Sequence, residues 1–147
     1  MFKLLAISGS PRRYGNSEQL LDEFIKGALT RGAVVEKIRL IERKITPCNE
    51  CLHCAKHEEC IIQDDMQYLY SALALADGVV ISSPVFFMGP PSHLKAMIDR
   101  CQMFWCLKYI FHKPIGSQKT NRKGFLLTLG ALPEKFTGKN FQGNINS

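Results

Sequence analysis

Residues 2–7 form an apolar run broken only by Lys3, and the run is bounded by Gly9 and Pro11, which predicts a short buried strand. Polar residues follow until Asn16, a candidate helix cap with Gln19 three positions on, the pattern of a capping box. Leu20, Leu21, Phe24, Ile25, Ala28 and Leu29 then recur with helical period, and Gly32 ends that helix. Residues 34–40 read as a second strand whose charges place it where burial is less complete. After a connection rich in cysteine at 44–62, a second helix starts near Asp64, with Gln67 at the third position and Met66, Leu69, Leu73 and Ala76 on its apolar face. Gly78 leads into Val79-Val80-Ile81-Ser82, the β-branched run of a buried parallel strand. A loop at 83–92 contains three prolines, and Ser92 is placed to cap a third helix with Leu94, Met97, Ile98 and Cys101 on one face. Residues 105–122 carry no clear period, and 123–129 read as a fourth strand ending at Gly130. Strands alternating with helices predict one α/β domain, a mostly parallel sheet with helices on both faces.

Charge and composition narrow the picture only slightly. The formal charge is +6, but Lys and Arg are scattered apart from Arg12-Arg13 and a loose group at Lys113, Lys119, Arg122 and Lys123. No recognised nucleic-acid motif accompanies them, so a solvated basic surface is expected and no nucleic-acid partner. No window approaches the length of a membrane span, and residues 2–7 are too short for a signal-peptide core. A cytoplasmic protein without membrane partners is the expectation, and six cysteines there do not read as a disulfide framework.

Two segments carry candidate chemistry for an anion and a ring. The first strand runs into Ser8-Gly9-Ser10-Pro11-Arg12-Arg13-Tyr14-Gly15-Asn16-Ser17 and then a helix. A helix start offers free N–H groups and a positive dipole end to an anion. Ser10, Asn16 and Ser17 can add hydrogen bonds and Arg12 can add charge. The loop has neither the Gly-Lys-Ser/Thr ending of a Walker loop nor Gly-x-Gly-x-x-Gly, and suits a phosphate monoester such as that of FMN. The alternative is an ordinary turn with an Asn cap. The second segment is Pro84-Val85-Phe86-Phe87-Met88, after the third strand. Its backbone amides from Val85 to Met88 can meet the polar edge of a ring, and Phe86 or Phe87 can stack on its face. A loop tucked against the third helix is the alternative.

The sharpest chemical feature is Cys48-x-x-Cys51-x-x-Cys54 followed by Cys60. Three thiols at successive two-residue gaps do not pair easily with one another, but they fold readily around one compact centre. Thiolate sets of this kind hold [4Fe–4S] clusters. Zinc remains open because His53 and His57 lie inside the motif, as do reduced unligated thiols. Exposed side chains are expected for both histidines, and core packing or a neutral surface role for Cys101 and Cys106. Lys95 and Asp99 read as an exposed structural pair.

Gly-Ser-Pro-Arg-x-x-Gly-Asn-Ser, followed by Ser-Pro-Val-Phe and Leu94-Lys95-Ala96-Met97-Ile98-Asp99-Arg100, resembles the NADPH-dependent FMN reductase and iron–sulfur flavoprotein group over about residues 2–130. The cysteine spacing and its place in the chain are also similar to the iron–sulfur flavoproteins. The resemblance implies a flavodoxin-like doubly wound parallel sheet. FMN is then held at Ser10, Arg12, Asn16, Ser17 and residues 84–88, with a [4Fe–4S] cluster at Cys48, Cys51, Cys54 and Cys60. It further implies a homo-oligomer, dimer or tetramer, that exchanges electrons with a small-molecule or protein donor and acceptor. Phe86 stands where the family carries Tyr, so stacking is kept and a hydroxyl hydrogen bond is lost. Alternatives are an NAD(P)H-dependent FMN or quinone reductase without a cluster, a flavodoxin-like electron carrier, and a metal or redox sensor using the cysteines alone. A complete sheet of this kind has five strands and four are found. The last strand and helix are therefore expected to be missing, with 1–130 as the FMN-binding domain, 44–62 as its cysteine-rich insertion, and 131–147 as an exposed tail or truncated end.

Overall fold

A computed structural model describes residues 1–116 and 121–130. The expected tail at 131–147 and Lys119 lie outside the described residues. Four parallel strands, β1 (Lys3–Ser8), β2 (Val34–Arg39), β3 (Gly78–Pro84) and β4 (Lys123–Leu129), form one sheet in the order β2-β1-β3-β4. This is the flavodoxin-like doubly wound order, with the switch point between β1 and β3. The helices are α1 (Asn16–Thr30), α2 (Cys54–His57), α3 (Met66–Leu75), α4 (Ser92–Arg100) and α5 (Gln102–Tyr109).

The central strands are apolar at consecutive positions because both of their faces are covered. Leu4 and Ala6 of β1 pack with Val80 against Leu21, Phe24, Ile25 and Ala28 of α1. Leu5 and Ile7 point the other way, onto Met66, Leu69 and Tyr70 of α3, Leu94 and Met97 of α4, and Met103 of α5. A strand alternates its side chains between faces, so a run without polar gaps is what two helical layers demand. The charged β2 lies at the edge, with only Ile38 fully buried.

Several boundaries differ from the expectations by one residue, each for a local reason. Gly15 caps α1 and Asn16 is its first helical residue. Glu18 therefore occupies the third position, and its Oε2 accepts the Tyr14 N–H at 2.7 Å. Asp65 rather than Asp64 precedes α3 and makes no side-chain cap bond, while Asp64 Oδ1 still accepts the N–H of Met66, the first helical residue, at 3.0 Å. Pro91 takes the cap of α4, leaving Ser92 inside. The stretch without period begins inside α5, which follows α4 after Cys101 alone. Ile98 is 43% exposed, so the apolar face of α4 is narrower than expected. The Lys95–Asp99 pair forms on the surface at 2.5 Å. Among the described residues no helix is long and apolar enough to cross a membrane.

Candidate functional site

The turns after β1 and β3 meet at the carboxyl edge of the sheet. Gly9 N–H donates to Ser82 O at 2.7 Å, continuing the ladder one step past β1. Leu94 packs so closely that a Cβ at Gly9 would lie 2.7 Å from its Cδ2 and 3.1 Å from Ser82 O. His93 Nε2 donates to Gly9 O at 2.9 Å, and Ser82 Oγ donates to Ser17 O at 2.6 Å. Burial holds the His93 pKa below its ordinary value, against a smaller upward pull from the Gly9 carbonyl. The neutral ring therefore keeps its place as donor.

These ties shape a cavity of about 450 Å³ lined by Ser10, Arg12, Asn16, Ser17, Pro84, Val85 and Phe86, with Pro11, Gly15, Leu129 and Gly130 completing the wall. Ser10 Oγ accepts from Arg12 N–H and donates to Arg12 O, both at 3.2 Å, which folds the loop back on itself. A Cβ at Gly15 would lie 3.5 Å from Arg12 O, 3.6 Å from Ser10 Oγ and 3.7 Å from Arg12 Nε, so the loop folds closely over a glycine. The first amides of α1 have no intrahelical acceptor, as at any helix start, and open toward the same loop. Arg13 is bound to Glu42 at 2.5 Å, whereas no carboxylate among the described residues pairs with Arg12.

Beneath this cradle lies a charged layer that spacing alone did not reveal. Glu18 is buried and accepts from Arg39 Nε at 2.8 Å and lies 3.2 Å from Lys37 Nζ as well as holding Tyr14. Burial raises its carboxyl pKa, but the Tyr14 amide, Lys37 and Arg39 outweigh that and hold it below the ordinary value. The carboxylate is thus ionised and neutralised from β2, and no carboxylate among the described residues compensates the Arg12 charge at the cavity.

The turn after β3 departs from the expectation in detail. Val85 N–H donates to Leu129 O at 2.8 Å, and Phe86 and Gly89 exchange backbone hydrogen bonds at 2.8 and 2.9 Å. Both the Val85 and Phe86 amides are therefore committed and do not face a ligand. Phe87 (φ 44°) and Met88 (φ 70°) occupy the two left-handed positions of this tight turn. That pair favours Asn-Gly, and bulky residues there are strained. Phe87 is wholly exposed, and neither it nor Met88 lines the cavity.

A second cavity of about 470 Å³ is lined by Cys48, Cys51, Cys54 and Cys60, together with Arg100, Trp105 and Cys106. The connection bearing the thiols turns sharply through left-handed Glu50, Leu52 and Glu58. Cys106, expected only to pack, comes from α5 and places its Sγ 3.7 Å from that of Cys54. Burial, reinforced by Cys106, pushes the Cys54 thiol up to about 11, so a metal must displace its proton. Among the described residues no three metal-binding side chains converge as a single ion requires. The rings of His53 and His57 stack on each other with centroids 4.3 Å apart, and neither lines the cavity.

One helix connects the two cavities. α4 starts against Gly9 and ends with Arg100 in the wall of the cysteine cavity, nine residues or roughly 13 Å of helix.

The sequence family of NADPH-dependent FMN reductases matches residues 2–131. An iron-sulfur flavoprotein of Archaeoglobus fulgidus is 39% identical over 110 residues, covering 75% of this chain and 56% of that protein. An iron-sulfur flavoprotein of Methanocaldococcus jannaschii is 33% identical over 129 residues, covering 88% and 62%. The chain thus spans little more than half the length of these curated relatives. Among solved structures, an azoreductase from Bacillus anthracis superposes with a TM-score of 0.71 at 16% identity, over 97% of this chain and 74% of that one, a likeness of fold.

Proposed function

Because the chain belongs to the NADPH-dependent FMN reductase family, we propose that it is a cytoplasmic FMN-dependent oxidoreductase of the iron–sulfur flavoprotein kind. The observation that carries this reading is the joining of both turns into one cavity at the switch point, lined by Ser10, Arg12, Asn16 and Ser17 from one turn and Pro84, Val85 and Phe86 from the other. A cradle of hydroxyls, helix-start amides and one arginine that pairs with no carboxylate among the described residues suits a terminal phosphate. Ser10, Asn16 and Ser17 would hold that group and Arg12 would neutralise it. Phe86, in the wall, would cover the ring, with the Phe87 and Met88 amides left to meet its polar edge.

The donor set of the cysteine cavity suits a cluster: Cys48, Cys51, Cys54 and Cys60 all line it, and His53 and His57 do not. All-thiolate sets of this kind hold [4Fe–4S] clusters. Cys48, Cys51, Cys54 and Cys60 would therefore hold a [4Fe–4S] cluster. When bound, FMN supplies two-electron chemistry and the cluster one-electron chemistry. The chain's own work is to fix both sites on α4 and to exclude water with Leu94, Met97 and Met103. The partners of this reading are a small-molecule or protein electron donor and acceptor. A homo-oligomer belongs to the same reading, with Trp105 and Tyr109, adjacent and exposed on α5, as the apolar pair it would cover.

Anaerobic reconstitution with FMN, iron and sulfide tests the reading directly. The expected result is about one flavin and about four irons per chain, with oxidation of NAD(P)H by a quinone acceptor. Flavin binding without iron would leave the reductase lacking a cluster. Absence of flavin binding would sink the proposal.

A further inference from the structure

We propose that Arg100 is a positioning residue of the cysteine centre, fastening both ends of the thiol-bearing connection and offering its remaining N–H to a sulfur in the cavity. The inference rests on the cluster reading above. Arginine has five N–H donors in a planar fork. Four are placed in the protein. Nη1 donates to Thr46 O and Asp64 Oδ2, each at 2.8 Å. Nη2 donates to Ile62 O at 3.1 Å and Asp64 Oδ1 at 3.2 Å. Thr46 lies two residues before Cys48 and Ile62 two residues after Cys60, so one guanidinium closes the connection at both mouths.

The fifth donor is the informative one. Nε is buried and makes no hydrogen bond among the described residues, although the Tyr70 hydroxyl, which donates to Arg100 O at 2.8 Å, lies beside the guanidinium. The Arg100 side chain is 1% exposed and forms part of the cavity wall, where its charge bears on Cys60. An orphaned N–H in such a place is costly unless something accepts it. The acceptor chemistry available in a cavity of thiolates is sulfur. Hydrogen bonds to the sulfurs and nearby charge set how tightly a cluster is held and at what potential. The left-handed turns at Glu50, Leu52 and Glu58 give the connection a reason to need fastening. A lysine at this position would keep the charge and lose the fork.

The test uses the full chain reconstituted anaerobically with iron and sulfide, as wild type, as Arg100→Lys, and as the paired variant Arg100→Met with Asp64→Asn. The paired variant removes both buried charges, so it retains the fold if the single variant does not. Flavin affinity, read at the other end of α4, reports intact folding. The expected result is unchanged flavin affinity, loss of iron to a chelator about ten- to a hundredfold faster in both variants, and a more negative potential for the iron centre in the paired variant. Equal iron loss and equal potential in folded variants would overturn the proposal and leave Arg100 as a fold clamp. If the wild type takes up no iron or sulfide, the cluster reading fails first and takes this proposal with it.

Discussion

Replacing Phe87-Met88 with Asn-Gly is expected to stabilise the flavin-free protein without weakening its hold on flavin. Both native residues have positive φ in a turn closed by Phe86 and Gly89. A non-glycine residue in that region costs about 1–2 kcal/mol. The pair therefore stores roughly 2–4 kcal/mol, which Asn-Gly largely releases. Two costs oppose the gain. Glycine adds freedom to the unfolded chain, about 0.5–1 kcal/mol. Met88 is half exposed, so its loss forfeits about 1 kcal/mol of burial, while wholly exposed Phe87 forfeits none. The balance is about 1 kcal/mol in favour of the variant, a rise of about 3 °C in the midpoint for a chain of this size. Thermal denaturation followed by circular dichroism measures it. Titration of the same protein with FMN is expected to show affinity unchanged within about twofold, because neither side chain lines the cavity and an Asn-Gly turn presents the same two backbone amides. A variant destabilised by about 1 kcal/mol or more would refute the strain argument. A stabilised variant whose flavin affinity falls about tenfold or more would show that a Phe87 or Met88 side chain reaches the ring.

Three further outcomes follow from the buried charges and the close approaches. Asp64→Asn leaves the Arg100 guanidinium buried with its charge unpaired and should cost about 3–5 kcal/mol in urea denaturation at neutral pH. Burial raises the Asp64 carboxyl, but Arg100 and the Thr46 and Met66 amides hold it below its ordinary value. Its folded pKa thus lies under the unfolded one, near about pH 4. Its contribution is complete above that pH and is lost as pH falls through the folded value, so Asp64→Asn should flatten the acid limb of the stability curve. Glu18→Ala should cost about 2 kcal/mol because Tyr14 N–H loses a charged acceptor, and Glu18→Gln, which still presents an oxygen, should recover part of that; equal losses would refute the assignment. Gly116→Ala should be far more damaging than Gly78→Ala: the new Cβ would meet Ala74 O at 2.0 Å in the first case, but only the mobile end of Phe2 at 2.8 Å in the second. Comparison of soluble yield and melting midpoint for the two variants checks this.

What could be read from the chain in advance was whatever depends on near neighbours. The period of Leu21, Phe24, Ile25 and Ala28 marks α1 because one face of one helix meets one face of the sheet. The unbroken Val79-Val80-Ile81 run marks a central strand for the same reason. The charges of β2 marked an edge. The phosphate cradle was legible because Ser10, Arg12, Asn16 and Ser17 lie within a single turn and its helix start. α5 escaped notice because only Cys101 separates it from α4, with neither a cap nor a breaker between them. The Val85 amide was assigned to a ligand because nothing local shows that the register of β3 against β4 brings Leu129 O to it. Arg100 and Asp64 are 36 residues apart, and Cys54 and Cys106 are 52 apart. Such pairs leave no spacing signature, since the contact is made by the packing of α3, α4 and α5 rather than by any one element. That division explains why the residues that line both cavities could be grouped from motifs, while the groups that hold those motifs in place could not. A thiol motif states which atoms meet a metal. Only the fold states that a buried guanidinium closes the loop carrying them.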